Sequence, residues 1–157
     1  MRTILTKALI ALGITTFAAF GADNTLGTWK LNVAKSKYTP APFPLKSLTV
    51  TREGSDGGVK QTVTGERADG TMINATSTAK YDGTPVSVTG QGAPYDTIAI
   101  KQVNANTVTD ERKKTGGPYK ATGRTVVSNG GKTMTTTVKG TDSDGKEFNF
   151  VYVLDKQ

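Results

Sequence analysis

The chain has no cysteine and no histidine among its 157 residues. Without cysteine there is no disulfide, no thiolate nucleophile and no lipid attached through a lipobox. Without either residue the usual zinc and copper ligand sets are missing, and so is the commonest general base. Aromatic residues are scarce at 7%, with a single tryptophan. Long apolar runs are scarcer still. The one present lies in "MRTILTKALIALGITTFAAFGA", where Arg2 and Lys7 precede an apolar stretch from Ala8 to Phe20 and no acid occurs before Asp23. That stretch falls short of the roughly 20 residues a membrane span needs. Ala19 and Gly21 supply small residues at the −3 and −1 positions of a cleavage site. The expectation is a secretory signal peptide at residues 1–21 and a β-barrel domain at 22–157, secreted or periplasmic.

Removing the first 21 of 157 residues leaves 136, and the formal charge falls from +7 to +5 as Arg2 and Lys7 leave. This mild basicity favours solubility more than it implies nucleic acid. A chain of this length can bury one core without covalent staples.

What the sequence does have is threonine and glycine. Threonine occurs 23 times between Thr25 and Thr141. Branched Thr and Val fit a pleated, half-buried surface. Gly-Gly, Asp-Gly and Asn-Gly recur at short intervals, the mark of tight hairpins. Strands are expected at about 27–33, 46–53, 59–65, 71–81, 84–89, 96–103, 107–114, 119–128, 132–139 and 146–154. Connections this short join antiparallel neighbours. The expected fold is therefore all-β: an antiparallel up-and-down meander closed into a single barrel of 8–10 strands, with no long helix after the leader. Closure removes the exposed edges. A sandwich would need longer crossovers.

Two segments repeat. "VTGERADGTMIN" (Val63–Asn74) matches "VKGTDSDGKEFN" (Val138–Asn149) at an offset of 75 positions. The second copy looks like a calcium loop, but with Gly145 at loop position 6 the residue at position 12 is Val151 and not Glu, so the ligand set fails. Asp69-Gly70 and Asp144-Gly145 instead suit hairpin turns. Duplication and shared turn chemistry both explain the match.

Alternation sets an inside face. Phe148, Phe150, Tyr152 and Leu154 share one side of the last strand. Met134, Thr136 and Val138 share one side of the strand before it, Ile98 and Ile100 another, Val86 and Val88 another. The offset maps Phe148, Phe150, Tyr152 and Leu154 onto Ile73, Ala75, Ser77 and Ala79. A wall of small residues opposite bulky ones either is filled by them or encloses space.

"GTWKLN" carries a resemblance. Gly27-x-Trp29 on the first strand resembles the G-x-W signature of lipocalins and related fatty-acid-binding barrels. With G-T-W-K-L-N-x-A-K-S-K, then P-x-P, then the final D-G-K hairpin, most of the chain is similar to secreted bacterial lipocalin-like proteins. The resemblance implies a calycin-type barrel whose Trp29 closes one end. It implies a small hydrophobic ligand inside, among Trp29, Phe43, Ile73, Tyr81, Val86, Val88, Ile98, Ile100, Phe148, Phe150 and Tyr152. "PAPFP" (Pro40–Pro44) would strap the mouth, with Phe43 as a plug. Arg124 is the candidate for the arginine that packs on the lipocalin tryptophan. No arginine stands on the last strand for a carboxylate.

No catalytic motif is found. Asp110 and Glu111 are adjacent on a strand and point to opposite faces, so they do not pair as acid and base. "GQGAP" lacks the G-K-[ST] of a phosphate loop. "ERKK" (Glu111–Lys114), with Lys120 and Arg124, reads as a solvated hairpin that keeps an edge from aggregating. The expectation is a non-enzymatic ligand carrier without cofactor or metal, without nucleic-acid partner and without a membrane anchor after cleavage. The alternatives are a filled barrel with Thr-rich outer surfaces, as in "TMTTTVKGT", and an enzyme.

Overall fold

The computed structural model describes residues 21–128 and 130–157. Residues 1–20 of the leader expected at 1–21 lie outside them. Twelve strands occur among the described residues: β1 (Gly27–Leu31), β2 (Lys37–Thr39), β3 (Leu45–Ser55), β4 (Gly58–Arg67), β5 (Met72–Lys80), β6 (Val86–Ser87), β7 (Thr89–Gln91), β8 (Thr97–Asn104), β9 (Thr107–Lys113), β10 (Lys120–Val127), β11 (Thr133–Thr141) and β12 (Glu147–Lys156). The only helical element among them is a 3₁₀ turn at Val33–Lys35.

All the pairings are antiparallel. Eleven strands form one path, β6-β8-β9-β10-β11-β12-β1-β3-β4-β5-β7, and β2 pairs with β12 beside it. The two ends of that path, β6 and β7, are neighbours in sequence with only Val88 between them. β6 pairs with β8 and β7 with β5. One short segment thus bridges the seam between β5 and β8, and the sheet is a nearly closed barrel.

The strand count exceeds the expected 8–10 for two physical reasons. A further strand, β2, forms beyond the one expected at 27–33: β1 pairs with Leu154–Lys156 and β2 with Asn149–Val151 of the same partner strand. The 3₁₀ turn between them is stitched to β12 by Asn32 N–H donating to Val153 O (2.8 Å) and Val153 N–H donating to Ser36 Oγ (2.9 Å). The strand expected at 84–89 is split, because it must leave β8 and reach β5 within a few residues.

The repeated segments are equivalent hairpins. Gly70 (φ 88°) and Gly145 (φ 81°) adopt the positive φ their turns require. Asp69 Oδ1 accepts from Thr71 N–H in the first turn at 2.9 Å. In the second turn this work passes from the expected Asp144 to Asp142, whose Oδ1 accepts from Asp144 and Lys146 N–H at 2.9 Å each. Gly65 and Gly140 also match: a Cβ at either would collide with the backbone of the adjoining strand, at Ser47 or Lys120. The register of the repeat holds as well. Ile73, Ala75, Ser77 and Ala79 are all buried on β5.

This path gives the barrel two ends. The base carries the turns 55–58, 81–85 and 104–107, residues 128 and 130–132, the start of β1 and the end of β12. The mouth carries the segments 40–44, 68–71, 92–96, 114–119 and 142–146.

Candidate functional site

The barrel interior holds a cavity of about 310 Å³, at the low end of the range of small-molecule sites. Its wall is built by alternation. Leu48, Val50 and Arg52 face it from β3, Gln61 and Val63 from β4, and Ile73 and Ala75 from β5. Ile98 and Ile100 line it from β8, Val108, Asp110 and Arg112 from β9, and Phe148, Phe150, Tyr152 and Leu154 from β12.

Nine aromatic residues lie beyond position 21, and seven gather in one cluster along the mouth and the β12 wall. Phe150 and Tyr152 stack at 3.6 Å between centroids. Tyr38 stands edge-on to Phe150 at 5.1 Å, as does Phe43. Phe148 stacks with Tyr38 (6.1 Å) and Tyr119 (5.9 Å), and Tyr119 with Tyr95 (6.0 Å). The bulky residues of β12 therefore fill one side of the barrel by stacking on one another. On the opposite side Ile73 and Ala75 of β5 line the open space, while Ala79 packs into a satellite cluster.

At the base, Trp29 is completely buried among Val127, Met134 and Leu154. Its indole N–H donates to Thr25 O at 2.9 Å, which satisfies the only polar atom it buries. The cation over its ring is Lys156, with Nζ 5.1 Å from the centroid. Arg124, the expected partner, is exposed on the outer face of β10.

Of the residues expected inside, Ile73, Ile98, Ile100, Phe148, Phe150 and Tyr152 line the cavity. Trp29 lies beneath it, and Phe43 packs at the mouth while its neighbour Pro44 lines the rim. Val86 and Val88 pack around a satellite cluster of Val59, Ala79, Ile98, Ile100 and Val108. They do not reach the cavity wall because their strand is the short bridge over the seam. Tyr81 packs there too, and its hydroxyl donates to Asp23 Oδ2. Burial first, and the bond to Asp23 second, push the Tyr81 phenol above its ordinary pKa, so it stays protonated.

Two charged features inside were not expected. Arg112 and Asp110 point inward two residues apart on β9, with Nε–Oδ1 at 2.5 Å and Nη2–Oδ2 at 3.2 Å. Their side chains are 13% and 6% exposed. The "ERKK" segment is therefore not one solvated patch: Arg112 turns in while Glu111 and Lys113 stay out. The Arg112 guanidinium also lies over the Tyr95 ring at 5.3 Å. Burial works against its charge, but Asp110 and the tyrosine ring outweigh it and hold the guanidinium charged. Gly123 stands opposite Asp110 on β10, and a Cβ there would collide with the carboxylate.

The second feature is Arg52, 5% exposed. Its Nη1 donates to Gln61 Oε1 at 2.6 Å and its Nη2 to Tyr81 OH at 3.4 Å. Its Nε is buried without a partner among the described residues. At the mouth, Arg67 donates from Nε (3.2 Å) and Nη2 (2.7 Å) to Gly92 O.

Among the described residues no group of three or more His, Cys, Asp or Glu could hold a metal ion. None of their helices is long and apolar enough to cross a membrane. No family model matches the chain. Comparison with curated proteins likewise finds no match.

Proposed function

We propose that the chain is an exported lipocalin-like barrel that holds one small, mostly apolar molecule in its interior and performs no chemistry on it. The observation that carries this reading is the cavity of about 310 Å³ between the aromatic stack of β12 and Ile73 and Ala75 of β5. Stacked rings offer a large, rigid apolar surface with a few polar tips, which suits such a guest. The basic, apolar leader supports export.

A second reading has one observation in its favour. Thr28, Thr51, Thr62, Thr76 and Thr89 are successive cross-strand partners over β1, β3, β4, β5 and β7. Such a row is an outward surface that a filled structural barrel could present to a partner.

Titration with the neutral, environment-sensitive fluorophore N-phenylnaphthylamine separates the two. Ala75 lines the cavity, so Ala75→Leu fills it. The carrier reading expects saturable fluorescence with wild type, and at least tenfold weaker binding in Ala75→Leu at unchanged or raised Tm. No binding by wild type, with Ala75→Leu losing about 1–3 kcal/mol to overpacking, would favour the filled barrel.

A further inference from the structure

The cavity holds two buried arginines with different fates. Arg112 has its carboxylate, Asp110. Arg52 has none within ion-pair distance among the described residues; its partners Gln61 and Tyr81 are both neutral. The nearest acid in its network is Asp23, one step away behind the Tyr81 hydroxyl. A guanidinium does not deprotonate in a protein, so Arg52 carries its charge inside. A buried charge is tolerated when it is paired and hydrogen-bonded. Arg52 falls short on both counts, because its Nε is also left without an acceptor.

The rest of the wall does not supply the missing anion. Besides Arg52, the cavity lining carries Arg67 and Arg112 against Asp110 and Asp142. Asp110 is taken by Arg112. Asp142 lies at the mouth, where it holds the β11–β12 turn. Arg52 itself sits low on β3: Gly27, at the start of β1, is its partner in register on one side and Gln61 on the other. Arg52 thus sets a charge with no directly paired carboxylate low in the cavity, and the β12 aromatics stand on the wall above it.

We infer that the ligand is an amphiphile whose anionic head, a carboxylate or similar oxyanion, seats on Arg52 at the cavity floor, with its apolar body against the β12 aromatics. This rests on the cavity-binding reading above and adds the ligand's charge and orientation. An oxyanion against the part of the Arg52 guanidinium that lines the cavity gives it a direct counter-charge, and charge-assisted hydrogen bonds of this kind are the strong ones.

The test uses a matched pair of probes, anilinonaphthalenesulfonate and its unsulfonated parent N-phenylnaphthylamine, on the purified protein. Wild type should bind the sulfonate tighter than the parent by roughly tenfold to a hundredfold, the range for a hydrogen bond to a charged group. Arg52→Met should remove that preference and leave the affinity for the parent compound within about twofold. Arg52→Lys should keep part of the preference, since it keeps the charge without the planar fork. Arg67→Met, at the mouth, should keep the preference. Equal binding of both probes by wild type would overturn the anion inference and leave the carrier reading intact; this comparison needs no variant. A preference that survives Arg52→Met and is lost in Arg67→Met would also overturn it. Failure of wild type to bind either probe would instead strike the carrier reading itself.

Discussion

Removing the Asp110 carboxylate is the sharpest perturbation of the interior. Asp110→Ala leaves the Arg112 guanidinium buried, with its two carboxylate bonds gone and only the Tyr95 ring close by. Breaking a buried pair from one side costs about 3–5 kcal/mol, mostly the penalty of the stranded charge. For a domain of this size that lowers Tm by about 10–20 °C. The double variant Asp110→Val/Arg112→Met removes both charges and keeps an apolar filling. Replacing a buried pair in this way is neutral or stabilising by about 1–4 kcal/mol. Thermal melts and urea unfolding of wild type, the single variant and the double variant form the assay. A single-variant loss below about 1 kcal/mol would place the pair in the class of solvated surface bridges and refute its description as buried. A double variant as damaged as the single would show that charge compensation is not what holds this wall together.

Gly123→Ala forces a methyl into the Asp110 carboxylate; it should cost about 1–3 kcal/mol, and the cost should vanish in an Asp110→Ala background, because the two sites share one contact. Alkaline titration should also be unusual. Burial raises the Tyr119 phenol from its ordinary 10.0 to about 12, and raises Tyr152 further still. A phenol whose folded pKa is raised contributes stability that is fully present below pH 10 and is lost as pH climbs through 12. Tyrosinate absorbance should therefore show part of the tyrosine signal delayed to about pH 12 or to unfolding, and titration of all five tyrosines near pH 10 would contradict their burial.

Alternation made much of this molecule legible. On β12 the large residues fall at every second position, and the 75-residue offset carries that face onto Ile73, Ala75, Ser77 and Ala79 of β5. Short turns with Gly and Asp gave the antiparallel order. Trp29 sits at the base because it stands at the start of the meander. The seam was not legible: Val86 and Val88 alternate like a strand, but a chain that must cross from β8 to β5 cannot pair along its whole length. The charged interior escaped for a different reason. Charged residues on a Thr-rich hairpin are solvated more often than not, and "ERKK" (Glu111–Lys114) reads that way. Yet Val108, Asp110 and Arg112 share one face, with opposite charges two residues apart and Gly123 across from the acid. Leu48, Val50 and Arg52 alternate in the same manner on β3. The signal lay in tracing the apolar face through the charges instead of stopping at them.

The central claim is that the space between β5 and β12 is occupied in use by a small molecule. Native mass spectrometry of the full chain purified from the cells that make it tests this most directly. The expected result is a second species, heavier than the bare chain by one small molecule of defined mass, released on unfolding and absent in Ala75→Leu. Only the bare chain, from a preparation that also fails to bind either fluorescent probe, would contradict it.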